Sequence, residues 1–310
     1  MNDAPIGIFD SGLGGLTVAS EMMRALPNES ILYVGDTARC PYGPRSQTEV
    51  REFVLQIGSW LANHRVKMLV IACNTGTAAG LAAAQRTFAV PVIGVVEPGA
   101  RAAVQATCNR KVGVIATTGT VESGAYSDAV RALDAGVTVF SVAAPKFVDI
   151  VEQGLQMGPG PVEGLMADSS DVFVRPSFHE IARDYLDPLK GVGVDTLVLG
   201  CTHFPLLSAA IGQVMGREVR LISSAQETAR EVSEVLGKRR KLAPAGNVPR
   251  HRFVTTGDEE EFARLGSAVL RRPIKRAEHL ELSELETIAV PPMRVVLAAP
   301  GPERKDTTCS

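Results

Sequence analysis

Two stretches of the sequence each carry an apolar run into a cysteine that is followed by small polar side chains. Residues 66–75 read VKMLVIACNT and residues 194–203 read VDTLVLGCTH, and in both the cysteine lies seven positions after the opening valine. A short aliphatic run closed by small residues is typical of a buried parallel strand, and ligands bind at the carboxyl ends of such strands. A single cysteine there would more often be a small buried hydrophobe. The repetition instead predicts that Cys73 and Cys201 bring two reactive thiols to one shared site.

Each thiol needs a partner, because a thiol with an ordinary pKa of about 8.5 is mostly protonated at neutral pH. His203 follows Cys201 by two positions and is the predicted partner of that thiol. Asp10 directly follows the first predicted strand and is placed to serve Cys73. Glu152, on a predicted helix, is a candidate to orient the imidazole of His203, although the sequence alone makes it one acid among many.

The glycine-rich segment DSGLGGLT at residues 10–17 follows the first predicted strand and opens a predicted helix. It invites comparison with the turn of a dinucleotide-binding fold, in which Asp36 would be the ribose ligand. The fit is poor, because Thr17 replaces the third glycine and Asp10 would set a carboxylate beside a pyrophosphate. A better interpretation is a helix N-terminus whose backbone N–H groups and Ser11 hydroxyl bind a small carboxylate. A plain tight turn explains the segment equally well.

A second loop, CPYGP at residues 40–44, follows the second predicted strand and therefore lies at the same edge of the sheet. Tyr42 could offer a hydroxyl and Gly43 a backbone N–H to a ligand. By itself the loop is also explained as a rigid turn.

Predicted strands and helices alternate along most of the chain, which is typical of an α/β fold with mostly parallel sheets flanked by helices. The strand at residues 6–9 (IGIF) has a counterpart at residues 112–115 (VGVI), and this repeat predicts two pseudo-symmetric lobes with the active site between them. The predicted first lobe, with Cys73, comprises residues 1–97 and 206–270. The second, with Cys201, comprises residues 98–205 with an inserted loop at about 157–177, and residues 271–310 form a loosely ordered tail.

The composition is that of an ordinary globular protein, with 310 residues of which 45% are hydrophobic and 21% charged. A formal net charge of −2 and a pI near 6.2 give no electrostatic reason to expect a nucleic acid or an anionic membrane as a partner. We expect neither a leader peptide nor a spanning segment, because no apolar run approaches about 20 residues. The five cysteines are dispersed and odd in number, unlike a secreted disulfide framework. We therefore expect a cytoplasmic protein with free thiols.

Four motifs, taken in order, resemble the signatures of the glutamate racemases, a family of the cofactor-independent aspartate/glutamate racemase superfamily. They are FDSGLGGLTV at residues 9–18, GDTARCPYG at 35–43, ACNT at 72–75 and GCTHFPLL at 200–207. The resemblance covers roughly residues 6–270. A departure at residues 76–77, where Gly-Thr stands in place of the family's common Ala-Ser, touches neither thiol.

The resemblance implies interconversion of L-glutamate and D-glutamate by two-base proton transfer, with neither a cofactor nor a metal ion. Cys73 and Cys201 would be the catalytic thiols, assisted by Asp10, His203 and Glu152. The implied substrate-binding residues are Asp10, Ser11, Tyr42, Gly43, Asn74, Thr75, Thr117, Thr120, Thr202 and His203. The family further implies that the D-glutamate feeds peptidoglycan synthesis and that the protein is a homodimer.

Alternatives from other classes stay open on the sequence alone. Cys73, Cys201, His203 and Asp10 are chemically suitable zinc ligands, although dispersed single thiols lack the Cys-x-x-Cys spacing common in zinc sites. A small-molecule binding module could keep the two-lobed frame without turnover, although the presence of both thiols argues against it. Among enzymes, an aspartate or hydantoin racemase would also keep two thiols. The family resemblance, and not a physical argument, selects glutamate.

Overall fold

The structure is a computed structural model of the chain, and it describes residues 3–156 and 176–294. The inserted loop predicted at residues 157–177 therefore lies outside the described residues except for its last two positions. Residues 295–310 of the predicted tail also lie outside them.

Strands and helices alternate along the described part of the chain, as the sequence pattern predicts. The strands are β1 (Ile6–Asp10), β2 (Ile31–Gly35), β3 (Met68–Ile71), β4 (Val92–Gly94), β5 (Lys111–Ala116), β6 (Thr138–Ala143), β7 (Thr196–Gly200), β8 (Arg220–Ser223), β9 (Arg252–Thr255) and β10 (Glu278–His279). The helices are α1 (Leu16–Ala25), α2 (Gln47–Asn63), α3 (Asn74–Thr87), α4 (Val96–Ala106), α5 (Thr118–Glu122), α6 (Ala125–Leu133), α7 (Pro145–Gln156), α8 (Pro176–Val192), α9 (Ser208–Met215), α10 (Ser224–Lys238), α11 (Glu259–Leu270) and α12 (Leu282–Thr287). Short 3₁₀ turns at Thr37–Arg39 and Phe204–Leu207 follow β2 and β7.

The first sheet has six parallel strands in the order β10-β9-β2-β1-β3-β4. Every residue of β1 and β3 is buried, as expected for central parallel strands covered by helices on both faces. The register pairs Phe9 with Ile71. The residues that follow these two positions, Asp10 and Cys73 among them, therefore leave the sheet at the same carboxyl edge.

The second sheet has four parallel strands in the order β6-β5-β7-β8. Ala116 at the end of β5 pairs with Gly200 at the end of β7. The next residues, Thr117 and Cys201, therefore lie side by side at the carboxyl edge of this sheet. The predicted α/β fold with two parallel sheets is confirmed.

The division of the chain between the sheets differs from the sequence-based ranges in two places. Strand β8 lies within residues 206–270, which we assigned to the first lobe, but it pairs with β7 in the second sheet. Strand β10 and helix α12 lie in the predicted loose tail, but β10 extends the first sheet beside β9. Buried Leu280 and Leu285 tie this segment to the core that includes Trp60, and Trp60 Nε1 donates to Glu284 at 2.7 Å. Apolar side chains in the tail therefore had packing partners that the sequence pattern did not reveal.

The chain returns from the second sheet to the first through residues 239–251, and a buried ion pair holds this segment. Lys67 Nζ lies 2.5 Å from Glu29, and the two side chains are 4% and 3% exposed. Lys67 also donates to the carbonyl of Lys241 at 2.9 Å, and Glu29 accepts from the Ala243 N–H at 2.7 Å. Helix α10, which precedes this segment, packs against α1 and α4. The two sheets are thus joined by packed helices as well as by the crossing chain.

Among residues 3–156 and 176–294, no helix combines the length and the apolar composition that a membrane span requires.

Candidate active site

Both cysteine sulfurs line one cavity of about 470 Å³ between the carboxyl edges of the two sheets. Cys73 reaches it from the end of β3 and Cys201 from the end of β7, and the two residues are 6% and 5% exposed. Most of the predicted site residues line the same cavity: Ser11, Tyr42, Gly43, Cys73, Asn74, Thr75, Thr117, Cys201, Thr202 and His203. The sequence repeat therefore corresponds to two thiols that face a common space.

Cys73 is the N-cap residue of α3, so its sulfur accepts a hydrogen bond from the Gly76 N–H at 3.3 Å. The sulfur also lies 3.8 Å from the Ser11 hydroxyl. These two contacts favour a thiolate, but burial and then the negative charge of Asp10 raise the pKa of the Cys73 thiol to about 12. With its pKa raised, Cys73 is a thiol that can donate a proton at neutral pH.

Cys201 has an imidazole beside it. Its sulfur lies 3.7 Å from Nδ1 of His203, and Nε2 of the same ring lies 2.6 Å from a carboxylate oxygen of Glu152. Burial by itself lowers the pKa of His203, but the hydrogen bonds to Cys201 and Glu152 outweigh it and hold the pKa well above the ordinary value. A positively charged imidazole beside the sulfur suits a thiolate. The two thiols therefore stand in unlike environments.

Asp10 is fully buried beneath the cavity and does not line it. One carboxylate oxygen accepts from the N–H groups of Gly12 and Gly15 at 3.1 and 2.8 Å, and the other lies 3.5 Å from the Thr202 hydroxyl. Burial raises the pKa of Asp10, although the charge of His203 and the backbone N–H groups oppose the shift. The expectation that these N–H groups bind a ligand carboxylate is wrong for Gly12 and Gly15, because Asp10 already occupies them.

The loop after β2 reaches the cavity, while the Tyr42 hydroxyl is used inside the protein. It donates to the buried carboxylate of Asp36, which also accepts from Arg39 Nε at 2.7 Å and from the Thr256 hydroxyl at 2.9 Å. Asp36 is fully buried, so it anchors this loop and is not the ribose ligand of a dinucleotide site. The carbonyl of Gly43 accepts from the Gly119 N–H at 3.1 Å, which ties the loop to the second sheet.

Three threonine hydroxyls meet where the two lobes touch. The Thr75 hydroxyl lies 2.9 Å from that of Thr117 and 3.3 Å from that of Thr120, and the last two are 3.0 Å apart. Thr75 is the second residue of α3 in the first lobe, whereas Thr117 and Thr120 follow β5 in the second. Thr120 is 1% exposed and supports the other two from behind the cavity.

The start of α1 in the first lobe lies very close to Thr202 and His203, near the second thiol. A Cβ atom on Gly14 would lie 2.4 Å from the Thr202 hydroxyl oxygen and 2.7 Å from the His203 ring. The Thr17 hydroxyl also contacts the carbonyl of Thr202 at 3.1 Å. The absence of a side chain at Gly14 therefore allows Thr202 and His203 to approach the start of α1.

The sequence profile of the Asp/Glu/Hydantoin racemase family matches residues 11–232, which include both thiols and all of the strands β2 to β8. The chain belongs to this family. A glutamate racemase from Bacillus cereus is 46% identical over 279 residues, which cover 90% of this chain and 97% of that protein.

Solved structures of racemases agree with this assignment. A glutamate racemase isoform from Bacillus anthracis matches with a TM-score of 0.82 and 43% identity, over 91% of this chain and 99% of that chain. A glutamate racemase from Francisella tularensis, solved with D-glutamate, matches with a TM-score of 0.80 and 30% identity, over 91% of this chain and 99% of that one.

In this racemase family member, several residues that the sequence interpretation did not select also line the cavity. They are Cys40, Pro41, Pro44, Arg45, Thr118, Glu122, Pro145, Val148 and Asp149. Helical spacing could have found Asp149, because it lies three positions before Glu152 on the same helix and i, i+3 residues share a face. Glu152 itself lines a separate cavity of about 160 Å³, and His203, which lines the active-site cavity, contacts it through Nε2.

The zinc-binding alternative requires several ligand side chains gathered around one point. Within the two described ranges, no group of three or more His, Cys, Asp or Glu side chains is arranged to hold a metal ion. His203 instead directs its two ring nitrogens at Cys201 and Glu152.

Proposed function

We propose that this protein interconverts L-glutamate and D-glutamate without a cofactor, with Cys73 and Cys201 as the two bases. The observation that carries the proposal is that thiols from two different sheets line one cavity of about 470 Å³. Inversion of an α-carbon requires a proton to leave one face and another proton to arrive at the opposite face. Two opposed thiols can do this if one is a thiolate while the other is protonated.

In one direction of the reaction, Cys201 is the base and Cys73 is the acid. Its thiolate takes the α-hydrogen as a proton, and the electron pair of the broken C–H bond passes into the α-carboxylate, which becomes a dianionic enolate. The Cys73 thiol then donates its proton to the other face of the α-carbon, and the electron pair forms the new C–H bond. The opposite enantiomer reacts with the two roles exchanged.

The unlike surroundings of the thiols support this division of roles. The high pKa of Cys73 supplies the protonated thiol, while the positively charged His203 stabilises a thiolate at Cys201. Asp10 and the pair formed by His203 and Glu152 then act as general acids and bases that restore the starting protonation states. Such proton transfers contribute roughly 10²- to 10⁴-fold to enzyme rates.

Negative charge develops on the substrate carboxylate during the reaction, and the site must stabilise it. The start of α3, with Asn74 and Thr75, and the hydroxyls of Thr117 and Thr202 border the cavity. Hydrogen-bond donors fixed in such a site stabilise developing charge, and loss of one donor typically costs about 3–4 kcal/mol of barrier. Closure of the lobes over the substrate would exclude water and strengthen these interactions.

The proposal also covers the assembly of the protein, its location and its biological role. The family resemblance supports a homodimer and a supply of D-glutamate for peptidoglycan. A cytoplasmic location is supported by the need for reduced thiols, and Cys40, Cys73, Cys108 and Cys201 are free cysteines. Sedimentation velocity of the purified protein tests the dimer.

The first experiment follows L- and D-glutamate by circular dichroism in heavy water. We expect each enantiomer to be converted into the other with solvent deuterium at the α-carbon of the product, because the donating thiol exchanges its proton with the solvent. Aspartate serves as the comparison substrate. Conversion without deuterium uptake, or faster conversion of aspartate than of glutamate, would contradict the proposal.

The second experiment separates the two thiols with Cys73→Ser and Cys201→Ser, since a serine hydroxyl is too weak a base to replace a thiolate. Both variants should lose racemisation. Each should still eliminate HCl from 3-chloroglutamate, because this reaction needs only one base to take the α-hydrogen while chloride leaves. The two variants should act on opposite enantiomers of this compound, and activity of both on the same enantiomer would overturn the two-base assignment.

A further inference from the structure

The Asn74 side chain presents a buried donor that has no protein partner. Asn74 is 2% exposed, lies at the start of α3 and borders the cavity. Its Oδ1 accepts a hydrogen bond from the Tyr126 hydroxyl at 2.8 Å. Its Nδ2, within the described part of the chain, has no hydrogen-bond partner. Because an unsatisfied buried polar group is costly, this nitrogen is poised for a ligand that accepts hydrogen bonds.

The orientation of the Asn74 amide decides whether the cavity meets a donor or an acceptor. The oxygen and nitrogen of the amide are nearly equal in size, and a half-turn of the group exchanges them. The exchanged orientation would place a carbonyl oxygen towards an incoming carboxylate, which is repulsive. A hydrogen bond that holds Oδ1 away from the cavity therefore makes Asn74 a carboxylate-binding residue.

Tyr126 can supply that hydrogen bond because its own hydroxyl stays protonated. Burial raises the pKa of Tyr126, and the nearby Ser224 side chain opposes the shift without cancelling it. A phenol has one O–H to donate and can accept at its oxygen. The hydroxyl donates its proton to Oδ1 of Asn74. The exchanged amide would offer Nδ2, a donor, and would leave the buried O–H without this acceptor.

Packing fixes the Tyr126 ring between elements of the second lobe. Tyr126 lies on α6 and is 2% exposed. A Cβ atom on Gly200, the residue before Cys201, would lie 2.9 Å from the ring, and one on Gly99 would lie 3.4 Å from the hydroxyl. The same side chain thus packs beside the strand end that carries Cys201 and hydrogen-bonds the residue that follows Cys73.

We propose that Tyr126 is a positioning residue for the proposed racemisation, which holds the Asn74 amide with its N–H groups towards the cavity, where they donate to a carboxylate of the substrate. Tyr126 itself does not touch the substrate in this assignment. It acts through Asn74 and across the junction of the two lobes. This inference rests on the proposed function for the identity of the substrate, but the hydrogen-bond geometry that it uses is independent of turnover.

The test is a double-mutant cycle of Tyr126→Phe and Asn74→Ala, measured as kcat/KM for L-glutamate. Tyr126→Phe keeps the ring and removes only the hydroxyl, so we expect a loss on the order of tenfold, the equivalent of one hydrogen bond. In the Asn74→Ala background the same substitution should change kcat/KM by less than about twofold. A role of Tyr126 in stability alone would lower both backgrounds equally, and that outcome overturns the proposal, as does unchanged activity of Tyr126→Phe.

Tyr185→Phe is the matched control. Tyr185 lies on α8 in the same lobe, where its ring packs against Phe147 with 5.3 Å between ring centroids, and it does not line the cavity. We expect its kcat/KM to stay within about twofold of the unaltered protein.

Glutarate is a dicarboxylate that cannot be racemised, and its binding can be measured by calorimetry. This measurement separates the role of Tyr126 from the proposed racemisation. We expect Tyr126→Phe to weaken glutarate binding only when Asn74 is present. If the unaltered protein fails to racemise glutamate but this binding pattern holds, the proposed function falls and the role of Tyr126 stands. Equal weakening in both backgrounds, or no glutarate binding by the unaltered protein, overturns the role of Tyr126.

Discussion

The carboxylate of Glu152 lies 2.6 Å from Nε2 of His203, whose other ring nitrogen faces the Cys201 sulfur. Glu152 comes from α7 and His203 from the turn after β7, so this contact forms only when α7 packs on the second sheet. Buried Phe147, five positions before Glu152 on the helix, packs edge-on against Phe204, the residue after His203, with 5.5 Å between ring centroids. The aromatic contact therefore holds the carboxylate and the imidazole at hydrogen-bond distance.

Glu152→Gln should slow the reaction, because the neutral amide no longer stabilises the positive charge on His203. We expect kcat/KM to fall on the order of 10²-fold, and equally for both enantiomers, because the equilibrium constant of a racemisation is one. The hydrogen bond to Glu152 is one cause of the raised pKa of His203, so the limb of the pH–rate profile that reports this group should move to lower pH.

Glu152→Gln should also change how the free energy of unfolding depends on pH. The pKa of His203 is higher in the folded protein than its ordinary value of 6.5, so its protonation contributes stability that is fully present below about 6.5 and is lost as the pH rises through the folded value. Urea unfolding should therefore show a larger difference between the unaltered protein and Glu152→Gln at about pH 6 than at about pH 9. A difference that is constant with pH would contradict this account of His203.

Asp10→Asn should separate the structural role of this residue from its chemical role. The amide oxygen can still accept from the N–H groups of Gly12 and Gly15, so the start of α1 should persist, whereas the carboxylate needed for proton transfer is lost. We expect kcat to fall on the order of 10²-fold with an unchanged far-ultraviolet circular dichroism spectrum. Loss of helical signal together with activity would assign Asp10 a structural role only.

The pH dependence of Asp10→Asn follows from the raised pKa of Asp10. Below the ordinary value of 3.8 the carboxyl is protonated in both the folded and unfolded protein, and its contribution to stability is lost as the pH rises through the higher folded value. The asparagine variant has no such loss. Its free energy of unfolding, measured by urea unfolding, should therefore increase relative to that of the unaltered protein as the pH rises above about 4.

Gly14→Ala should impair the site while leaving most of the fold intact. Its Cβ would lie 2.4 Å from the Thr202 hydroxyl oxygen and 2.7 Å from the His203 ring, distances that force the lobes or these side chains to move. A displacement of about 1 Å at a catalytic group can cost on the order of 10²-fold in rate. We expect a fall of that size in kcat.

Gly212→Ala is the control for Gly14→Ala. Gly212 lies within α9, and the nearest atom to its added Cβ would be Leu221 Cδ1 at an ordinary 3.6 Å. Alanine should stabilise this helix by roughly 0.5–1 kcal/mol and leave kcat unchanged. Equal activity of the two alanine variants would show that the approach of Gly14 to Thr202 and His203 is not needed for catalysis.

Lys67→Met should destabilise the fold strongly, because it leaves the carboxylate of Glu29 buried without its positive partner. Both side chains are less than a twentieth exposed, and breaking a buried ion pair on one side typically costs about 3–5 kcal/mol. Urea unfolding measures this loss. The double variant Lys67→Met with Glu29→Met removes both charges and should recover part of it, and a double variant less stable than Lys67→Met would contradict the explanation.

The sequence pattern predicted the α/β fold and the two thiols because both depend on local features. Apolar runs of strand length, closed by small residues, mark the ends of buried strands, and parallel pairing brings those ends to one edge of a sheet. The position of Cys73 after β3 and of Cys201 after β7 follows directly. The pairing of His203 with Cys201 also needs only a separation of two residues.

Contacts between distant parts of the chain were decided only by the tertiary structure. The pattern of β8 identifies a strand but does not specify its neighbour, because a short apolar segment can pair with either sheet. The sequence left open whether the Tyr42 hydroxyl serves a ligand or a rigid turn, and in the structure it donates to the buried carboxylate of Asp36. The hydrogen bond between Asn74 and Tyr126 joins residues that are 52 positions apart. Such polar contacts depend on how the lobes pack and on which buried donors and acceptors remain to be satisfied, and neither is encoded in local spacing.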